Sequence, residues 1–152
     1  MDFLIDVVQG LPEEYVLVVA GDGPELQKWK NHVGATRRVA PRERVRFLGR
    51  VDRKTLTEWY AATDVFLLAS GYEGFPHVVA EAVATGLPCV VSDKGGNPET
   101  KELFPQHVTV VRYRDAEAWS CAIRSVPDRL APLRSKSFEE TVGEYIEILK
   151  RA

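Results

Sequence analysis

Cysteine is scarce in this chain: Cys89 and Cys121 are the only two among 152 residues. One falls in an apolar run and the other in a helical pattern. They read as two buried, reduced thiols, not as a disulfide framework or a metal site. Charge of one sign is lacking too, since 20 basic residues face 22 acidic ones and leave a formal net charge of −2. That balance gives no field to gather nucleic acid or anionic lipid. No apolar run nears the roughly 20 residues a membrane-spanning helix needs. The opening MDFLIDVVQGLPEE has no basic n-region and reads as a short helix rather than a signal peptide. With no leader and reduced thiols, the expected location is cytoplasmic. Internal repeats and low-complexity tracts are missing, and no His, Cys or Asp grouping has metal-ligand spacing.

What is present is a regular alternation. Short apolar runs, YVLVVA, RVRFL, DVFLLA, PCVVS and VTVV, alternate with helical patterns, the signature of βα units on a parallel sheet. Strands are expected at 15–20, 44–48, 65–69, 88–92 and 108–111. Helices are expected at 2–9, 24–33, 53–61, 77–85, 98–103 and 116–126. A terminal amphipathic helix is expected at 138–150, within a helical region spanning 131–152. The fold class is therefore α/β: a Rossmann-like, doubly wound parallel sheet of about five strands in three layers. A single domain of this length buries about 70% of its unfolded surface. The runs VLVVA, VFLLA and CVV are continuously apolar, as strands covered on both faces require.

Ligands of such sheets collect beyond the C-terminal strand ends. Four polar or glycine-rich loops lie there: Gly21-Asp22-Gly23, Gly49-Arg50-Val51, Ser70 to Pro76, and Ser92 to Asn97. The third is the most informative. Glu73 stands in it, and Glu81 follows after seven residues, about two turns inside the next helix. A strand that feeds a glycine-rich loop and then a helix N-terminus presents unpaired N–H groups and the positive dipole end to an anion. Two carboxylates beside such a cradle do not suit phosphate itself. They suit vicinal hydroxyls, whose protons they accept. The implied ligand has a diphosphate between two hydroxyl-bearing rings, as a nucleotide-sugar does.

The run Glu73-Gly74-Phe75-Pro76, then Glu81, Ala84, Gly86, Pro88 and Gly95-Gly96-Asn97-Pro98-Glu99, resembles the donor-binding motif of the retaining GT-B glycosyltransferases of family 4, or group 1. The resemblance covers nearly the whole chain and makes residues 1–152 a C-terminal, nucleotide-sugar-binding domain. It implies that Glu73 is the catalytic-site acid touching the donor sugar. The amides of Gly74 and Phe75, with Pro76 shaping the turn, would meet the distal phosphate or sugar, and Glu81 would hold the ribose. Gly21 would turn near the nucleotide, while Arg50 and Val51 would line the base. No cofactor or bound metal is implied.

The resemblance also exposes departures. The family's domain normally opens with a central strand ending in Gly-Arg, followed by a Lys, and these basic residues commonly bind the diphosphate. Measured against that pattern, residue 1 falls in the helix after the strand. The expectation is that the two flanking strands, 15–20 and 65–69, close together, or that a partner chain supplies a strand. An N-terminal acceptor domain is a further expected partner, nucleic acid is not, and membrane association would come only through a missing domain. The expected function is the donor half of a hexosyltransferase, inactive or nearly so without an acceptor domain. The alternative is a non-enzymatic nucleotide-sugar-binding or regulatory module.

Several residues keep two readings. His77 is a phosphate contact or an exposed helix-terminal side chain. Lys94 partly neutralises a diphosphate or is simply solvated. Gly21-Asp22-Gly23 is a nucleotide-side turn or a plain tight turn, for Leu26 stands where a third fingerprint glycine would. Arg50 is a base or phosphate contact, or a surface charge. Trp29, Trp59 and Trp119 read as core or half-buried packing.

Overall fold

Strand and helix alternate almost without exception along the computed structural model, which describes residues 1–35, 44–130 and Pro132. The elements are α1 (Asp2–Gly10), β1 (Leu17–Ala20), α2 (Leu26–Ala35), β2 (Val45–Gly49), α3 (Arg53–Ala62), β3 (Phe66–Leu68), α4 (His77–Ala84), β4 (Cys89–Ser92), α5 (Asn97–Leu103), β5 (Val108–Val111) and α6 (Ala116–Arg124). Each expected element between residues 1 and 126 is found, with ends shifted by a few residues. The expected helix at 138–150 lies outside the described residues.

Two helices start at capping aspartates. The Asp52 carboxylate accepts from the Thr55 amide at 2.7 Å, opening α3, and Asp115 accepts from Ala118 at 3.0 Å, opening α6. Each meets an amide that the helix leaves unpaired. On α1, Leu4, Ile5, Val7 and Val8 are buried, the spacing of a helix with one apolar face.

All strand pairs are parallel, but they form two sheets. β1 pairs with β2, and β3, β4 and β5 pair in that order. No ladder joins β1 to β3 among the described residues. This corrects the expectation that the two flanking strands close together. A shared core nevertheless bridges the break. Leu17 and Val19 of β1 belong to one buried cluster with Val90, Val111, Trp119, Ile5 and Val8, and Val65, Leu67 and Ala69 pack against it. The opposite face holds a second cluster, with Tyr60, Val79, Val83, Cys89, Val91 and Val108, flanked by Phe66 and Leu68. Successive strand residues point to opposite faces. Val90 therefore enters the first cluster while Cys89 and Val91 enter the second. The result is three layers, with α1, α2 and α6 on one side and α3, α4 and α5 on the other.

β4 is buried at all four positions, whereas every residue of β3 is only half-buried. Burial pushes the Cys89 thiol up to about 12, so it packs as a small apolar side chain. Cys121 is exposed. That overturns the expectation of two buried thiols, because its position on α6 faces away from the stripe formed by Trp119 and Ile123.

Two arginines missing from the sequence reading hold elements together. Arg44 donates to the carbonyls of Val8 (2.6 Å), Leu11 (3.2 Å), Pro12 (2.9 Å) and Tyr15 (3.1 Å), tying the end of α1 to the approach to β1. Arg129 donates to the carbonyls of Tyr60, Thr63 (2.8 Å) and Thr85 (3.1 Å), closing the C-terminal ends of α3 and α4.

Candidate functional site

Four loops leave the C-terminal strand ends, and the structure gathers them in two pairs, one on each sheet. The loops after β1 and β2 are tied by the Gly21 amide donating to the Gly49 carbonyl at 2.7 Å. Arg50 lies 3.4 Å from Asp22, but at 83% side-chain exposure such a pair is weak. Gly21, Arg50 and Val51 thus share one small turn cluster, and Val51 is half-buried in it.

The loops after β3 and β4 pack backbone to backbone. The Gly96 amide donates to the Glu73 carbonyl at 3.0 Å. A Cβ on Gly95 would stand 2.4 Å from that same oxygen, and one on Gly96 would stand 2.2 Å from the Gly74 carbonyl oxygen. Gly95 also holds φ at +57°, a left-handed conformation natural to glycine. The diglycine is therefore required by the contact itself, and the Gly96 amide is committed to Glu73.

Glu73 is half-buried, Gly74 exposed, Phe75 half-buried and Pro76 buried. Pro76 precedes α4 and its carbonyl accepts from Val79 at 2.9 Å. His77 is exposed, its ring set edge-on to Phe75 at 5.3 Å between centroids. Tyr72, just before Glu73, is 88% exposed. Lys94 stands 3.8 Å from Asp93, whose carboxylate also accepts from the Tyr113 amide.

Glu81 is the fifth residue of α4, a little over one turn from its start rather than two. Its side chain is 25% exposed and lies 3.5 Å from the Arg53 guanidinium. Together with Leu56, Thr57, Tyr60, Ala84 and Thr85 they line a cleft of about 200 Å³ between α3 and α4. Val78 is 37% exposed, while Val79, Ala80, Ala82 and Val83 are buried. Burial, with the Glu81 charge adding to it, raises the pKa of Tyr60 well above a free phenol's. Glu73 thus lies in the loop that leads into α4, and Glu81 lies in the middle of that helix. Glu73 meets the diglycine loop and Glu81 meets α3. Arg53 gave no signal in the sequence beyond its place just after an N-cap aspartate.

Among the described residues no group of three or more His, Cys, Asp or Glu could hold a metal ion, and no helix is long and apolar enough to cross a membrane.

The three layers, the parallel ladders and the loop clusters at the C-terminal strand ends define a Rossmann-like domain of the GT-B type. The chain belongs to the family of glycosyl transferases group 1, whose family model matches residues 1–134. It is 28% identical over 147 residues to an Escherichia coli UDP-Gal:α-D-GlcNAc-diphosphoundecaprenol α-1,3-galactosyltransferase, covering 95% of this chain and 36% of that protein. It is 36% identical over 126 residues to a D-inositol 3-phosphate glycosyltransferase of Xylanimonas cellulosilytica, covering 78% and 28%. The chain therefore spans about a third of the length of these curated relatives. In fold it is similar to a sucrose-phosphate synthase of Thermosynechococcus elongatus, with a TM-score of 0.71, 24% identity and coverage of 99% and 42%. It is also similar to Anabaena HepE in complex with UDP, with a TM-score of 0.70, 20% identity and coverage of 99% and 44%.

Proposed function

We propose that this chain is the donor-binding half of a retaining glycosyltransferase that moves a hexosyl group from a nucleotide-sugar to an acceptor. The observation that carries the reading is the backbone contact between the Glu73 loop and Gly95-Gly96 at the sheet edge, within a chain of this family. Glu73 orients the donor sugar. The exposed Gly74 and the Phe75 amide receive the distal phosphate, with the N-terminal end of α4 stabilising charge on the departing diphosphate. Glu81 accepts from the ribose hydroxyls, and Gly21, Arg50 and Val51 border the nucleotide. As in the family the sequence resembles, no bound metal enters this reading. Similarity in fold to a UDP-bound protein supports a nucleoside diphosphate as the common element of the ligand.

The acceptor comes from elsewhere. Positioning two substrates accounts for much of such catalysis, and one donor domain positions only one of them. Among the described residues no ladder joins β1 to β3, which supports a strand supplied from outside these residues, by the polypeptide that brings the acceptor site or by a partner chain. The test is calorimetric titration with UDP, GDP and ADP. One of them is expected to bind, and Glu81→Gln is expected to weaken it by about tenfold, the loss of one charged hydrogen bond. Absence of binding by all three would overturn the reading.

A further inference from the structure

Asn97 is the first residue of α5 and is fully buried, as is Ser92 at the end of β4. The Asn97 Nδ2 donates to Ser92 Oγ at 2.8 Å and lies 3.5 Å from Ser70 Oγ. Ser92 Oγ in turn donates to the Ser70 carbonyl at 2.6 Å. Three residues from α5, β4 and the end of the β3 segment therefore form one polar knot. Ser70 is where the Glu73 loop begins. The same stretch that carries Asn97 carries Gly95 and Gly96, which grip the loop at Glu73 and Gly74. The loop is held at both places from one side.

The knot is not the economical way to fill that space. Buried polar groups cost free energy unless fully paired. Among the described residues, Asn97 Oδ1 is buried with no hydrogen-bond partner. The direction of the bonds also restricts the residue type. The Ser92 hydroxyl gives its proton to the Ser70 carbonyl, so it needs a donor from position 97, which an amide supplies and a carboxylate does not.

We propose that Asn97 is a positioning residue, acting through Ser92 and Ser70 to set the Glu73 loop against Gly95-Gly96 in the geometry that receives the donor sugar. This rests on the reading of Glu73 given above. The experiment compares wild type, Asn97→Ala and the milder Ser92→Ala by amide hydrogen exchange, and titrates each with UDP and with UDP-glucose. In both variants the Gly96 amide is expected to exchange at least about tenfold faster, while the β1 amides of Val18 and Val19 keep their protection, as a local opening requires. The preference for UDP-glucose over UDP is expected to fall with it, and the double variant to be no worse than Asn97→Ala alone. Unchanged Gly96 exchange, or equal acceleration of Gly96 and β1, overturns the proposal. So does faster Gly96 exchange with the UDP-glucose preference intact. If wild type binds neither UDP nor UDP-glucose, the assignment of Glu73 to this donor falls, and the exchange data still decide whether Asn97 holds the loop.

Discussion

Gly96 leaves no room for a side chain, because its Cβ would stand 2.2 Å from the Gly74 carbonyl oxygen. Gly96→Ala is expected to push the two loops apart and to lower stability by about 1–3 kcal/mol, as overpacking does. A urea melt measures this, and nucleotide titration of the same variant is expected to show weakened binding. Trp119 makes the opposite kind of demand. It is fully buried, its ring edge-on to Phe3 at 5.9 Å, and its Nε1 donates to the Arg112 carbonyl at 3.0 Å. Trp119→Ala is expected to cost about 3–5 kcal/mol in the same melt. The sequence marked the tryptophan as core or half-buried packing. It did not show that Gly95 and Gly96 face Glu73, since the contact joins residues more than twenty apart.

Helix ends carry the next set of expectations. Asp115→Ala removes the cap of α6 and is expected to cost about 1 kcal/mol. Asp52, capping α3, has its pKa lowered, chiefly by the Thr55 amide that it accepts from. A carboxylate whose folded pKa lies below its unfolded value adds stability above that unfolded value, and loses it as pH falls through the folded one. The Asp52→Asn variant is therefore expected to flatten the acid limb of a thermal melt series taken from neutral pH to below the ordinary 3.8. Arg44 binds four carbonyls at once. Arg44→Ala is expected to lower stability by about 1.5–3 kcal/mol or more, and Arg44→Lys to recover little, because one ammonium cannot replace the planar fork. Capping aspartates were legible as a residue type before a helical pattern. The two arginine clamps were not, because a lone arginine in a sequence looks the same whether it meets solvent or four carbonyls.

Among the described residues the two sheets share one core but no ladder, and this shapes what the domain does alone. We expect the 152 residues to bind a nucleoside diphosphate without transferring sugar, and transfer to appear when a polypeptide carrying an acceptor site is added. Sugar transfer assayed with and without that polypeptide checks both halves. Robust transfer by the chain alone would contradict the division of labour proposed here. The five strands and six helices among the described residues, and their order, were readable because parallel strands covered on both faces must be apolar throughout, and amphipathic helices must alternate with them. The loop motif was readable because glycine, proline and acid at fixed spacing fold locally.

Periodicity and local turn chemistry, both short-range, were thus enough to give the α/β class, the loops at the strand ends and the acid-bearing loop among them. The rest was set by contacts between distant segments. Only the folded chain decided that β1 and β3 stay apart, that Glu81 turns toward Arg53, that Cys121 faces solvent, and that Asn97 ties the Glu73 loop through two serines. Each of these depends on which backbone carbonyl or side chain arrives from another element, and side-chain spacing along one element carries no record of its neighbours.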